Sequence, residues 1–420
     1  MKKFFLFIVS AIIFSISVHA QDTTQQIVPG RVNSALQQSK PYVILISVDG
    51  FRWDYANNYG AKNILNLAKK GVSASSLQPS FPSLTFPNHY TIVTGLYPAH
   101  HGLVDNAFYD RATYRFYSMK KTAADSSFYG GIPLWVLAEK QNMLSASFYW
   151  VGSEAAIENT RPTYYYKYNE LIPVDQRINE LKKWLELPEE KRPHLITFYF
   201  PEVDHAGHSF GPDAPQTEAA VKFIDSTIQK MVEMTSKIDL DINYVMVSDH
   251  GMGAIDTTVA GIPMPAALDT SKFLIANGSS IILLYAKDSN DIAPTYAALK
   301  SSAKDYDVYL PDETPERWHY KIADDRFNRI GDIILIPHYP RVFNIYNRKY
   351  LLPGEHGFDP GIKDMHAIFY AWGPQIKRHR KIKTFENIHI YPFVAALLDL
   401  KTDSVSIDGN PKVLKRLIKK

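Results

Sequence analysis

SLTFPNHYTIVTGLYPAHHGLVDN, residues 83–106, is the stretch on which the reading of this chain turns. It predicts a sharp turn, a hydroxyl and the opening of a helix. Pro87 suits a first helical turn, where its missing N–H has no intrahelical partner to lose. A short apolar segment, Tyr90 to Val93, follows and runs to Gly95, a helix stop signal. Thr85 then sits at or just before a helix N-terminus, where free N–H groups and the helix dipole favour an anion. A hydroxyl in that place is a candidate nucleophile for a phosphate ester. Taken alone, a threonine before a helix is ordinarily only a cap. The acids and histidines elsewhere in the chain decide between the two.

Upstream, Tyr42 to Val48 (YVILISV) is a continuous apolar run rich in β-branched residues, predicting a buried strand that delivers Asp49 and then Gly50. Two later runs repeat the pattern. Leu195 to Val203 ends at Asp204 with His208 four residues on, and Tyr244 to Ser248 ends at Asp249 and His250. Helical spacing covers 63–70, stopped by Gly71, and Thr217 to Met234 is amphipathic. Residues 107–130, aromatic and polar without steady periodicity, predict a surface loop, followed by a short helix to Lys140 and a strand at Leu144 to Trp150. Strands alternating with helices imply an α/β chain with a mostly parallel central sheet and helices on both faces. In such sheets ligands bind outside the carboxyl ends of the strands. Three strands finishing on an Asp would bring three acids to one edge.

The chain has 420 residues, 45% hydrophobic and 21% charged, the profile of an ordinary globular protein with room for an embedded smaller unit. Residues 256–345 change texture, with short strand and helix candidates such as Ser280 to Tyr285 and Thr295 to Ala303, and predict an inserted small α/β subdomain. The body would then comprise 41–255 and 346–402, the latter with GEHGFDP (354–360), a strand at Ala367 to Trp372 and a helix near Tyr391 to Leu400. Residues 21–40 look like a polar linker, and 403–420 like a basic, solvated tail. The start, MKKFFLFIVSAIIFSISVHAQD, has a basic opening, an apolar run and small residues before a cut after Ala20, the pattern of a secretory signal peptide over 1–20. The run falls short of the ~20 apolar residues of a bilayer span. The expectation is export, to a bacterial periplasm or medium, without stable membrane insertion once the leader is removed.

Formal net charge is +3, and it falls to +1 without Lys2 and Lys3, so no basic excess argues for binding duplex nucleic acid. The absence of cysteine rules out disulfides and thiolate ligands. A metal site must use Asp, Glu and His, which suits a catalytic zinc or manganese centre. The candidates are Asp49, Thr85, Asp204, His208, Asp249, His250 and His356. They divide into two sets, Asp49, Asp249, His250 and the Thr85 hydroxyl in one, and Asp204, His208 and His356 in the other. Two metals about 4 Å apart clamp both the attacking and departing oxygens of an in-line phosphoryl displacement. Each element has an ordinary counterpart, since Asp-Gly after a strand is usually a turn and a lone loop histidine usually solvated. Their joint occurrence is harder to dismiss.

At these residues the chain resembles a family. SVDGFRWDY (47–55), LTFPNHYTIVTGLYPAHHGLVDN (84–106), PEVDHAGHSFGP (201–212), VSDHGM (247–252) and GEHGFD (354–359), in this order, resemble the nucleotide pyrophosphatase/phosphodiesterase family of the alkaline phosphatase superfamily, in its compact bacterial single-domain form. The similarity runs from about Pro41 to Leu400. It implies an alkaline-phosphatase-like fold holding two zinc ions per chain. The implied reaction is hydrolysis of nucleotide phosphodiester or pyrophosphate bonds to nucleoside 5′-monophosphates through a covalent ester on Thr85. It further implies that Asn106 hydrogen-bonds a nonbridging phosphate oxygen, and that Phe86 and Tyr165 sandwich a base. The Tyr165 match rests on the looser pattern PTYYYKYN (162–169). The chain departs from animal members in lacking cysteines and extra domains. Thr85 cannot become the aldehyde of sulfatase relatives, and the phosphomonoesterase branch typically uses Ser, so Thr85 favours diesters. Two rivals stand beside this reading: a lysophospholipid or glycerophosphodiester phosphodiesterase on the same fold, and a non-catalytic periplasmic ligand- or metal-binding protein.

Overall fold

The structure is a computed structural model and describes residues 22–419. The expected leader over 1–20 lies outside the described residues.

Among these residues a nine-stranded sheet runs through the molecule. In spatial order its strands, numbered along the chain, are β1 (Gln26–Ile27), β5 (Tyr164–Tyr166), β4 (Ser145–Phe148), β6 (Leu195–Phe200), β2 (Tyr42–Val48), β7 (Ile242–Val247), β12 (Phe369–Trp372), β3 (Val72–Ala74) and β13 (Arg380–Ile382). From β5 to β7 every neighbour is parallel, whereas β12 enters antiparallel to both β7 and β3. The mixed α/β class with a mostly parallel central sheet is as the strand–helix alternation predicts.

All seven residues of β2 are buried, because both faces of the sheet are covered. Val43 and Leu45 join a core with Ile92 and Val93 of α2 (Thr85–Thr94) and Phe393 and Val394 of α7 (Ile390–Leu397). Ile44, Ile46 and Val48 face the other way. They meet Ile64 and Leu67 of α1 (Lys62–Lys70), Trp184 of α3 (Val174–Leu185) and Ile224 and Ile228 of α5 (Pro215–Thr235). A second, four-stranded antiparallel sheet has the order β8 (Phe273–Asn277), β9 (Ile282–Ala286), β11 (Ile333–Pro337), β10 (Tyr306–Tyr309), and carries α6 (Ile292–Ser302). Alternation divides its apolar residues. Ile282, Leu284, Ile333 and Leu335 form a local core with Leu299, while Leu283, Tyr285, Ile334 and Ile336 join the main one.

The structure corrects several local expectations. Residues 107–130 are a hairpin, Ala107–Asp110 with Arg115–Ser118, and its Phe108 and Tyr117 are fully buried with Phe128. Their aromatic spacing is tertiary packing without a surface period. Residues 21–40 contain β1, which extends the sheet beside β5, and Asn33, whose amide donates to the carbonyls of Glu189 and Arg192. The stretch after Pro411 is folded against the body through buried Leu414 and Leu417. The run from Leu195 is a strand only to Phe200. Glu202–Phe210 is a helix, α4, so Asp204 stands in a first helical turn and not at a strand end.

Candidate active site

Several chain segments meet beyond the carboxyl ends of β2, β6 and β7. Asp49 follows β2, and the chain turns at Gly50 with φ 65°. A Cβ on Gly50 would lie 2.8 Å from the Asp204 Cα, so only glycine lets this turn press against α4. Asp249 and His250 follow β7. Asp204 and His208 are four residues apart on α4 and therefore share a face. His356 arrives directly after a short strand, Gly354–Glu355. There Gly354 passes so close to α4 that a Cβ on it would meet the Gly207 carbonyl oxygen at 2.1 Å.

Thr85 opens α2. The capping position is Leu84, in extended conformation, and no side-chain cap bond is made. The Thr85 hydroxyl is therefore not spent on its own helix. Its Oγ1 lies 3.1 Å from Nε2 of His250. The same nitrogen is 2.9 Å from Asp249 Oδ2 and 3.4 Å from Asp49 Oδ1. In the second set, Asp204 Oδ1 is 3.5 Å from His208 Nε2 and 3.7 Å from His356 Nε2, and the two nitrogens are 3.0 Å apart. The rings of His250 and His356 stack with centroids 3.6 Å apart, so the two sets adjoin. All seven candidate residues, spread from position 49 to 356, come together.

The donor chemistry fits cations. Asp49 Oδ1, Asp204 Oδ1 and Asp249 Oδ2 are buried oxygens without a hydrogen-bond donor, and such atoms are costly unless a positive charge faces them. Each histidine has its Nδ1 on a backbone carbonyl: His208 on Gly354 at 2.9 Å, His250 on Gly251 at 2.8 Å and His356 on Ser83 at 2.9 Å. A carbonyl only accepts, so Nδ1 carries a proton, and in the neutral, metal-binding form of each ring Nε2 presents its lone pair inward. With no cation opposite, the neighbouring carboxylates outweigh burial and raise the pKa of His208 and His250. As neutral rings His208 and His356 thus aim two acceptors at each other, an arrangement that a shared cation resolves. Burial, with the charges of Asp249 and Asp204 added, raises the Asp49 pKa well above the usual carboxylate range. Burial also works against the charged form of Asp249, but His250 and His89 outweigh it and hold that pKa well down. Burial and the neighbouring His250 and His208 depress His356. Burial and like charges set the shifts of Asp49 and His356, and opposite charge sets that of Asp249.

Behind the cluster stand two side chains that the sequence reading passed over. Tyr199, in β6, donates its hydroxyl to Asp49 Oδ2 at 2.5 Å. His89, fully buried one turn after Thr85, has Nε2 2.8 Å from Ser47 Oγ, and Nδ1 between the Thr85 carbonyl (3.0 Å) and Asp249 Oδ2 (3.2 Å). His89 lies inside the quoted stretch at helical spacing from Thr85, a signal that was available. Tyr199 alternates with core residues and carries no motif. Asn106 accepts the Phe86 N–H on its Oδ1 at 3.0 Å, which turns the amide's NH₂ away from that bond and leaves it free to donate.

The sequence profile of the type I phosphodiesterase/nucleotide pyrophosphatase family matches residues 43–359. An uncharacterised pyrophosphatase/phosphodiesterase of Schizosaccharomyces pombe is 34% identical over 402 residues, covering 89% of this chain and 80% of the relative. The chain belongs to this family. Ectonucleotide pyrophosphatase/phosphodiesterase family member 1 of Homo sapiens is 32% identical over 86% of this chain, which spans 40% of that longer protein. A solved structure of murine ectonucleotide pyrophosphatase/phosphodiesterase 5 superposes with a TM-score of 0.83 at 28% identity, covering 90% of this chain and all of that one. The same murine protein is also solved as an inactive threonine-to-alanine variant in complex with AMP, with a TM-score of 0.84. As a type I phosphodiesterase/nucleotide pyrophosphatase, the chain hydrolyses phosphodiester or pyrophosphate bonds.

In this phosphodiesterase Phe86 is half-buried, packs on the main core and meets Tyr117 edge-on. Tyr165 lies in β5 on the sheet face opposite Tyr164 and Tyr166, both of which are buried. Tyr168, two residues beyond β5, reaches the cluster only through Tyr199. Its ring is 6.1 Å from that of Tyr199, whose hydroxyl holds Asp49, and 44% of it is exposed.

Proposed function

We propose that this enzyme cleaves nucleotide phosphodiester and pyrophosphate bonds, releasing nucleoside 5′-monophosphates, with Thr85 as nucleophile and two zinc ions per chain. The observation that supports this most is the trio of orphaned carboxylate oxygens gathered from three distant segments around one uncapped threonine hydroxyl. Asp49, Asp249, His250 and Thr85 would hold one ion, and Asp204, His208 and His356 the other. Bound there, zinc supplies Lewis acidity that lowers the pKa of a hydroxyl and neutralises phosphoryl charge.

The chain's own residues do the rest. Thr85 Oγ attacks phosphorus at the N-terminus of α2, where the backbone N–H groups and the dipole favour the incoming anion. The Asn106 amide, fixed through its oxygen by the Phe86 N–H, donates to a nonbridging oxygen as charge develops. The leaving group departs opposite Thr85. Water then hydrolyses the phosphothreonine, giving two inversions and net retention at phosphorus. Phe86 forms one wall of the base site. For the opposite wall the motif points to Tyr165 and the position in space to Tyr168. The leader over 1–20 directs export to the periplasm or medium, and residues 256–345 form the inserted unit.

Parallel assays decide the substrate class: the p-nitrophenyl ester of thymidine 5′-monophosphate, p-nitrophenylphosphocholine and p-nitrophenyl phosphate, each with and without chelator. Chelator-sensitive preference for the first is expected. Preference for the second would assign lipid diesters instead, and inactivity on all three would leave a binding protein.

A further inference from the structure

The end of the molecule opposite the catalytic cluster carries a concentrated positive charge that the reaction does not use. Between 377 and 419 the chain has ten lysines and arginines against four acids, although its overall formal charge is only +3, so the remainder is net negative. Two separate segments bring these cations together. Lys377 N–H donates to the Leu417 carbonyl, Lys419 N–H donates to Gln375, and Ile376 bridges to Ile418. Between them lies a cleft of about 340 Å³ lined by Lys377, Arg380, Lys381 and Arg416, with no acid in its wall. Gln375 also bonds Asn243 at the start of β7, which places the cleft at the opposite end of that strand from Asp249.

Among the described residues none of Lys377, Arg378, Arg380, Lys381, Lys383, Lys412, Lys415 and Arg416 forms an ion pair. Of the four acids in this stretch, Asp399 pairs with Lys40, Asp408 with His100, and Glu386 accepts from Tyr97, while Asp403 pairs with none of these cations. Like charges held around one concavity repel, and the repulsion is relieved when a polyanion covers them. The cations extend well past the cleft, onto the exposed edge strand β13 and the helix Lys412–Lys415, which is more surface than one small anion can occupy. None of the exposed large apolar side chains lies between 374 and 419. There is no aromatic platform for single-stranded nucleic acid and no apolar wedge for insertion.

We propose that this face docks the enzyme, peripherally and reversibly, on membrane surfaces rich in anionic phospholipid headgroups, with the catalytic opening turned toward the solution. Cosedimentation of the full chain with phosphatidylcholine vesicles, with and without phosphatidylglycerol, tests it. Binding is expected only with the anionic lipid near 0.1 M salt and should vanish near 1 M, where the screening length shrinks from about 10 Å to about 3 Å. Each cation near such a surface is worth about fivefold in affinity, so the double variant Lys381→Gln/Arg416→Gln should bind about 25-fold more weakly. Both side chains are exposed and lack ion-pair partners, so its thermal midpoint and turnover of a p-nitrophenyl diester should match the parent. Attachment through the apolar leader would be indifferent to headgroup charge and to these substitutions. Equal binding to neutral vesicles, an unaffected double variant, or tighter capture of duplex DNA than of anionic vesicles would each overturn the assignment.

Discussion

Replacing Tyr199 by Phe removes one oxygen and leaves a ring of the same shape. That ring packs edge-on against His89 with centroids 5.1 Å apart and against Tyr168 at 6.1 Å, contacts that phenylalanine keeps. What is lost is the 2.5 Å hydrogen bond to Asp49 Oδ2. Burial and the adjacent Asp49 push the Tyr199 pKa well above its ordinary value, so the phenol stays protonated and donates at any working pH. Asp49 is 1% exposed and its Oδ1 already lacks a donor, so Tyr199→Phe strips it of the bond that orients its carboxylate. A hydrogen bond to a buried charge is worth about 1.5–3 kcal/mol. At about 1.4 kcal/mol per decade this is a loss of about ten- to hundredfold in metal affinity at the Asp49 set, the range seen when outer partners of metal ligands are removed. The assay is competition of the zinc-loaded protein against a chelator of known affinity, run beside turnover at limiting and saturating zinc. One zinc should weaken by that factor while the one held by Asp204, His208 and His356 is unchanged, and turnover should recover largely at saturating zinc. If both affinities equal those of the parent, or both weaken alike, Tyr199 does not act through Asp49 and the reasoning fails.

Thr85→Ala should abolish turnover by several orders of magnitude while the variant keeps its fold and binds AMP in equilibrium dialysis. Hydrolysis of a chiral phosphorothioate diester by the parent should proceed with retention, and inversion would remove the covalent step. Tyr168→Ala should raise KM for the thymidine 5′-monophosphate ester about tenfold or more, the ~1–3 kcal/mol of a lost base stack, and leave p-nitrophenyl phosphate unaffected. Tyr165→Ala measured beside it shows which ring faces the base. Asp105, buried, has its pKa pushed up to about 7 by desolvation, partly opposed by the N–H groups of Ala107 and Asn106. Its folded pKa lies above the unfolded 3.8, so the native state holds the proton more tightly and stability falls as pH rises from about 4 to about 7. Asp105→Asn, which still accepts the Ala107 N–H, should flatten that slope and be more stable by up to about 4 kcal/mol at pH 8, read by denaturant unfolding across pH. An identical slope in the variant would assign the dependence elsewhere.

Asp49, Asp249 and His250 were legible along the chain because they follow the apolar run of a strand, and Thr85 because it opens a helix. The apolar run of β2 stops at the sheet's carboxyl edge, and Asp49 is the first residue after it; Asp249 follows β7 after Ser248. The helix opening at Thr85 could be read from Pro87 and Gly95, which act locally. Asp204 shows the limit: the run LITFYFPEV looks like one strand, yet Pro201 ends it and α4 begins, so the acid reaches the site on a helix. The buried hairpin at 107–118 reads as surface in the sequence because its aromatics obey contacts with Phe128 and Tyr129, not a period.

The sequence by itself determined the α/β alternation, the seven candidate ligands and the absence of any thiol, since these depend on local pattern and composition. Only the tertiary structure decided that the Thr85 hydroxyl is not a cap, that three histidines present Nε2, and that Tyr199 and His89 brace the acids. The two distant segments of the basic cleft likewise meet only in the folded chain. Proton positions and buried hydrogen bonds depend on which groups from remote segments share a space without water, and that is a property of packing, not of order along the chain.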